Sequence, residues 1–284
     1  MNFKDRLKIA LNSELTQEEL DKLPRGFQMI SKIILLKLLS ELYEKRFIIA
    51  KKCLELYPKM ESVYYYGGKI TGQFRIPEKI EFLAGKDDSI VIHKEHGVLY
   101  KFDITKIMFS KGNLNERKYL TTLVKPGEII IDMFAGIGYF SLPIGIHSEA
   151  KLIYSIELNP VAFEYLKENV KLNHLEFKII PIFGNCKEKV KELAENGITA
   201  DRIIMAVFPA PKDFISSALL CVKDSGTFIH YEGVLEKDNY LELYDEFDKV
   251  AQQNGYQCEF IEHRVVKSYG PRLYHIVVDI LVNK

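Results

Sequence analysis

The sequence predicts two domains: a smaller N-terminal α+β domain over residues 1–100 and, over 101–284, an α/β domain whose seven-stranded, mostly parallel sheet has an antiparallel last strand. Three observations predict this. The 284 residues exceed the usual size of one domain, and 47% of them are hydrophobic, enough for a sizeable core. Up to about residue 100, helical and strand-like patterns are mixed. From about residue 125, short apolar runs alternate with amphipathic helical ones, the pattern of a parallel sheet covered on both faces.

In the first region "ELTQEELDKL" reads as a short charged helix and "FQMISKIILLKL" as a strand. "ELYEKRFIIAKKCLELY" places Leu42, Tyr43, Phe47, Ile49, Cys53, Leu54 and Tyr57 near helical spacing. After Pro58 the runs "SVYYYG", "KIEFLAG", "SIVIHKEHG" and "VLYKFDI" read as strands separated by Gly, Pro and Asp. In the second region the strands are "EIIIDM", "KLIYSIE", "KIIPIFG", "DRIIMAVF", "GTFIHYEG", "YQCEFIEHRVV" and "YHIVVDILV", with helices at residues 160–173, 186–196, 212–222 and 237–254. The last two strands are joined by a turn around Gly270 and Pro271, too short for a parallel crossover, so they pair antiparallel. Residues 1–21 carry no functional signal.

Lys plus Arg (39) balances Asp plus Glu (39), so a polyanionic partner has to meet a local basic surface. Cys53, Cys186, Cys221 and Cys258 are widely spaced and form no CxxC pair. That spacing argues against a zinc site and a secreted disulfide framework and fits a reducing cytoplasm; no metal is expected. The run "MISKIILLKLL" is broken by Lys32 and Lys37 and is too short for a bilayer span, so no membrane association is expected.

The stretch "IDMFAGIGYF" closes a strand with an acid and then turns through Gly136 and Gly138. One reading is a nucleotide-binding turn, where missing side chains let backbone N–H groups face a ligand; the other is a tight turn kept small for packing. Ser141 stands where a dinucleotide fingerprint has its third glycine, which disfavours a pyrophosphate. Glu157 ends the next strand 21 residues after Gly136, the spacing at which a carboxylate accepts both ribose hydroxyls; it is equally a helix-start residue before Asn159 and Pro160. Asn185, at the third strand tip in "FGNCKE", reaches an adenine edge or caps the helix that follows. Together the three tips describe a nucleoside pocket.

"DMFAGIGYF", "IELNP" and "FGNCKE" resemble the S-adenosylmethionine-binding motifs of the Rossmann-like class I transferases. With "GGKITGQFRIP", "HKEHGVLYKFDITKIMFSKGNLNERKYL" and "VVKSYGPRLYHIVVDILV", about residues 22–284 are similar to the archaeal and eukaryotic tRNA wybutosine-synthesising aminocarboxypropyltransferases, relatives of the tRNA guanine-N1 methyltransferases. The resemblance implies S-adenosylmethionine as cofactor, held by Phe134, Ala135, Gly136, Gly138, Glu157, Leu158, Asn159, Asn185 and Cys186. It implies transfer of the 3-amino-3-carboxypropyl group to C7 of 4-demethylwyosine at position 37 of tRNA(Phe), releasing 5′-methylthioadenosine. Ala206 stands where the methylating relatives carry the Asn of Asn-Leu-Pro, and "IMFSKGNLNERKYL" looks closer to the aminocarboxypropyl branch. Methyl transfer to the same nucleotide and a noncatalytic RNA-binding role are the alternatives.

Ser110, Lys111 and Arg117 are the candidates for the amino-acid end of the cofactor, because a guanidinium holds a carboxylate through parallel hydrogen bonds and a hydroxyl accepts from an ammonium. Arg117 also reads as part of a solvated helix face. Carbon attack leaves a proton to remove, yet no histidine stands out as its acceptor; His93, His96 and His230 read as surface or core residues. Residues 61–125 hold eleven Lys or Arg against eight Asp or Glu, interleaved with Tyr64, Tyr65 and Tyr66. This is either an RNA-contacting surface or an ordinary charged one. Arg75, Lys94, Lys106, Lys111 and Lys118, with Arg264, Lys267 and Arg272, are its candidate tRNA contacts.

Overall fold

A computed structural model describes residues 1–72, 76–109, 111–208 and 210–284, leaving aside the side chains of 69–71, 76 and 111. Ser110, Arg75 and the Lys111 side chain therefore lie outside the described residues. The chain divides into two compact units, residues 1–94 with 100–109, and residues 95–99 with 110–284.

The first unit begins with α1 (Phe3–Ala10), capped by Asn2, and α2 (Gln17–Lys22). At α2, Thr16 and Glu19 satisfy each other's backbone N–H groups in a capping box, an arrangement whose Thr cap is worth about 1 kcal/mol. Leu7, Leu11, Leu15 and Leu20 are buried in the unit's core, so the segment with no functional signal has a packing role. The single strand expected from "FQMISKIILLKL" is instead a hairpin, β1 (Gln28–Ile30) and β2 (Ile33–Leu36), because Ser31 adopts the left-handed region at φ 50°. A 3-10 turn at Ser40–Lys45 and α3 (Arg46–Leu56) carry the chain to β3 (Ser62–Thr71), which runs parallel to β2. β4 (Ile76–Gly85) completes a four-stranded sheet in the order β1-β2-β3-β4. Tyr64 is buried and donates to Asp87, so it is not a base-stacking surface; Tyr65 and Tyr66 remain half-buried. A separate hairpin follows, β5 (Ile90–Glu95) and β6 (Val98–Asp103). The boundary expected at residue 100 falls inside β6, and the hairpin tip 95–99 groups with the second unit.

The second unit contains α4 (Leu114–Leu123), β7 (Ile129–Asp132), α5 (Ser141–His147), β8 (Leu152–Glu157), α6 (Pro160–Leu172), β9 (Ile179–Phe183) and α7 (Cys186–Glu195). It continues with β10 (Arg202–Met205), α8 (Ile215–Leu219), β11 (Thr227–Glu236), α9 (Leu241–Gln253), β12 (Gln257–Gly270) and β13 (Leu273–Asn283). The seven strands are ordered β12-β13-β11-β10-β7-β8-β9. The pairs among β7 to β11 are parallel, while β13 lies antiparallel between β11 and β12. The two apolar faces of this sheet require helices, and the α7–α9 side buries Val190, Ile215, Leu219, Phe247 and Ala251 against it. After β9 the chain returns across β7 to form β10. The crevice between the carboxyl ends of β7 and β10 is thus the topological switch point, where ligands of such sheets bind.

Candidate functional site

β7 delivers Asp132 into the interior, where Ser141 Oγ donates to Oδ2 at 2.6 Å and the Phe134 N–H to Oδ1 at 3.4 Å. Ser155, on the neighbouring strand, donates to Ser141 at 2.7 Å. Burial pushes the Asp132 carboxyl up to about 7, against these hydrogen bonds and helped by the nearby charges of Glu157 and Glu232. An unfolded Asp releases its proton near pH 3.9. The folded chain therefore keeps a proton that the unfolded chain gives up, and loses stability as pH rises from about 4 to about 7. Asp132→Asn is expected to remove that loss, on the order of 4 kcal/mol at pH 7. The variant's Tm relative to the wild type should climb across that window and level off above it; a pH-independent difference would mean that Asp132 is ionised throughout.

Beyond Asp132 the chain turns through Gly136 and Gly138, at φ 58° and 98°, the left-handed region that glycine tolerates. A Cβ on Gly138 would stand 2.6 Å from Leu142 and 3.2 Å from Leu166, so close packing enforces the residue as well. The packing reading holds, and the turn is closed by its own hydrogen bonds, with the Gly138 and Tyr139 N–H groups donating to the Ala135 carbonyl. Glu157 fixes it from the next strand tip, accepting the Gly136 N–H at 2.7 Å and the Asn159 N–H at 2.6 Å. Burial raises the Glu157 carboxyl, and its backbone donors oppose that rise. Asn159 caps α6 through the Val161 and Ala162 N–H groups, and Asn185 caps α7 through the Lys187 N–H. These caps occupy the side-chain oxygens; they leave Asn185 beside the half-buried Gly184 at the β9 tip. Leu158 and Phe134 are half-buried and Ala135 is buried. Cys186 is buried, its thiol pushed up to about 12 by desolvation, so it lines rather than reacts.

Arg117 lies on α4, which the helix-face reading had turned to solvent. It is 2% exposed: Nη1 donates to both oxygens of Glu95, at 2.9 and 3.1 Å, and the guanidinium stands 4.9 Å over the ring of Tyr139 from the glycine turn. Next to it, Asn113 stands at the start of α4 but makes no capping bond, and its Oδ1 is buried without a hydrogen-bond partner among the described residues. A buried orphan acceptor is costly, about 1–3 kcal/mol, and suits an ammonium group. A strand-tip carboxylate with spare lone pairs at Glu157, a glycine turn free of side chains beside it and an orphan acceptor near α4 fit a cationic nucleoside such as S-adenosylmethionine. A cavity of about 310 Å³ is lined by Arg117 with Glu95, His96, Lys118, Thr121 and His147, and by none of the tips of β7, β8 and β9.

Residues 91–259 match the family model of the TRM5/TYW2 methyltransferase domain, and residues 7–88 match the TYW2 N-terminal domain. The chain belongs to the TRM5/TYW2 family. It is 37% identical over 255 residues to a tRNA(Phe) (4-demethylwyosine(37)-C(7)) aminocarboxypropyltransferase of Methanocaldococcus jannaschii, covering 89% of this chain and 96% of that one. It is 34% identical to the tRNA (guanine(37)-N(1))-methyltransferase Trm5b of Pyrococcus abyssi, covering 92% of this chain and 76% of the relative. The crystal structure of Pyrococcus horikoshii TYW2 in complex with MeSAdo superposes with a TM-score of 0.82 at 31% identity, covering 99% of this chain and all of that one.

Within this TRM5/TYW2 fold, one correction concerns Arg264. Expected to meet phosphate, it is instead taken up by Glu116 at 2.8 Å, Asp279 at 2.6 Å and Glu262 at 2.6 Å. Burial opposes its charge, and the hydrogen bonds to Asp279 and Glu116 more than restore it. The network continues from Asp279 to His230 Nδ1 at 2.6 Å, from His230 Nε2 to Arg202 at 2.6 Å, and from Arg202 to Glu128 at 2.8 Å. Arg202 is donor-only, so His230 Nε2 accepts and Nδ1 carries the proton toward Asp279. His230 is thus a core residue, as expected. The other proposed phosphate contacts differ: Lys94, Lys106, Lys118 and Arg272 are exposed, while Lys267 is half-buried. No helix among the described residues is long and apolar enough to cross a membrane.

Proposed function

We propose that this chain is an S-adenosylmethionine-dependent tRNA transferase that moves the 3-amino-3-carboxypropyl group to C7 of 4-demethylwyosine at position 37 of tRNA(Phe) and releases 5′-methylthioadenosine. The observation that carries the reading is 37% identity, over 89% of this chain, to an aminocarboxypropyltransferase of that name, together with an N-terminal TYW2 domain match. The cofactor supplies an electrophilic carbon on a positively charged sulfur. Glu157 and the Gly136–Gly138 turn hold its ribose, and Asn185 and Cys186 line the adenine side. Arg117, Ser110 and Lys111 take the amino-acid end, with Asn113 as a further acceptor. Residues 1–100 with Lys106, Lys118, Lys267 and Arg272 contact tRNA, and the protein works in the cytoplasm. The chemistry turns on which carbon of sulfur faces the acceptor, since displacement needs in-line approach.

Methyl transfer to the same nucleotide is the second reading, favoured by the 34% identity to a guanine-N1 methyltransferase. Incubation with S-adenosylmethionine and precursor tRNA separates the two by product mass. Methylthioadenosine supports aminocarboxypropyl transfer, S-adenosylhomocysteine replaces it with methylation, and neither product overturns both.

For the RNA surface, replacing Lys94, Lys118 and Arg272 together by Glu is expected to weaken tRNA binding at least tenfold. It should also reduce the log–log salt slope by roughly 0.7–0.9 for each phosphate no longer neutralised, while S-adenosylmethionine affinity stays within about twofold. Unchanged tRNA affinity would remove these side chains from the RNA-binding surface.

A further inference from the structure

His275, on β13, is completely buried. Its Nε2 lies 2.8 Å from Oε2 of Glu232, itself only 2% exposed, and its Nδ1 has no hydrogen-bond partner among the described residues. An ionised carboxylate only accepts, so Nε2 carries the proton and Nδ1 holds an unshared lone pair. The half-buried ring of Phe208 covers this imidazole edge-on at 4.6 Å, from the loop that follows β10 at the switch-point crevice. Glu232 lies beyond the level at which β10 ends, since Met205 pairs with Tyr231. It stands on β11, with β10 between it and the tip of β7. Among the other buried acids of this unit, Glu116 is engaged by Arg264, Glu157 by two backbone N–H groups and Asp132 by Ser141.

We propose that His275, oriented by Glu232 and uncovered when Phe208 turns aside, accepts the proton released by the acceptor carbon. The role rests on the carbon-alkylating reading above. The carbon–carbon bond forms as the bond from sulfur to the aminocarboxypropyl carbon breaks, and its electron pair stays on sulfur as a neutral thioether. The acceptor ring is left positively charged with one hydrogen too many. That C–H proton passes to Nδ1, its electron pair returns to the ring, and the imidazolium so formed is stabilised by the Glu232 carboxylate.

The test combines single-turnover rates on tRNA bearing hydrogen or deuterium at the acceptor carbon with 15N NMR of histidine-labelled protein. In the free wild type, the His275 Nδ1 resonance should be that of an unprotonated ring nitrogen; an N–H resonance there overturns the proposal. His275→Asn should slow turnover at least about 100-fold, within the range typical of a lost general base. It should also introduce a primary isotope effect absent from the wild type, with S-adenosylmethionine affinity retained. Glu232→Gln should act in the same direction with a smaller loss, and decides the matter together with the NMR if His275→Asn does not fold. A loss of rate without an isotope effect marks a structural role and overturns the proposal, as does an unchanged rate. A wild type that releases no methylthioadenosine overturns the reaction itself, whereas release of that product with His275→Asn fully active overturns this role alone.

Discussion

Glu157→Gln is expected to lower S-adenosylmethionine affinity at least about a hundredfold, equivalent to about 2.7 kcal/mol. Both carboxylate oxygens already accept backbone N–H groups, from Gly136 at 2.7 Å and Asn159 at 2.6 Å, and each has a second lone pair for a ribose hydroxyl. The amide puts an NH2 group against one of those N–H donors. That mismatch leaves a buried donor unsatisfied, at about 1–3 kcal/mol, and disturbs the turn that cradles the ligand. The variant should therefore lose some thermal stability and bind both S-adenosylmethionine and methylthioadenosine more weakly by the same factor, because both ligands contain the ribose. Calorimetric titration with the two ligands checks this. Equal affinity in variant and wild type would assign Glu157 to holding the turn alone.

The same residue shows what the sequence makes legible. A carboxylate 21 residues beyond a glycine turn can be located by counting, since strand length and helix length fix the spacing of successive strand tips. Strands β7 to β10 were readable because each is a short apolar run bounded by turn residues, and the antiparallel end because a turn at Gly270 and Pro271 cannot cross a sheet. Pairings between distant segments were not readable. Arg264 sits in "EFIEHRVV", which reads as a half-exposed strand, and only the register of β12 on β13 brings it to Asp279 and then to Glu116 on α4. His275 and Glu232 are 43 residues apart, and a histidine in a strand carries no local sign of an orphan ring nitrogen. The expected strand is a hairpin because exposed Ser31 takes a positive φ in a two-residue turn, a conformation that a serine gives no sign of in sequence.

Arg117→Met is expected to give the largest loss of stability, about 3–5 kcal/mol, because it strands Glu95 in the interior without its partner. For a chain of this size that corresponds to a fall in Tm of roughly 6–20 °C. Destabilisation alone says nothing about ligand binding, so the informative protein is the double variant Glu95→Gln/Arg117→Met, in which neither side chain is left as an unpaired buried charge. It should recover most of the lost Tm. If the guanidinium, which Tyr139 holds against the glycine turn, also meets the carboxylate of the cofactor, this double variant still binds methylthioadenosine normally. It then binds S-adenosylmethionine at least about tenfold more weakly, the loss of about 1.4 kcal/mol expected at minimum for a charge-assisted hydrogen bond. The comparison works because methylthioadenosine keeps the adenosine and the methyl-bearing sulfur but lacks the aminocarboxypropyl arm and the positive charge that the arm's bond leaves on sulfur. Equal binding of both ligands would make Arg117 a purely structural partner of Glu95 and leave the amino-acid end to Ser110, Lys111 and Asn113.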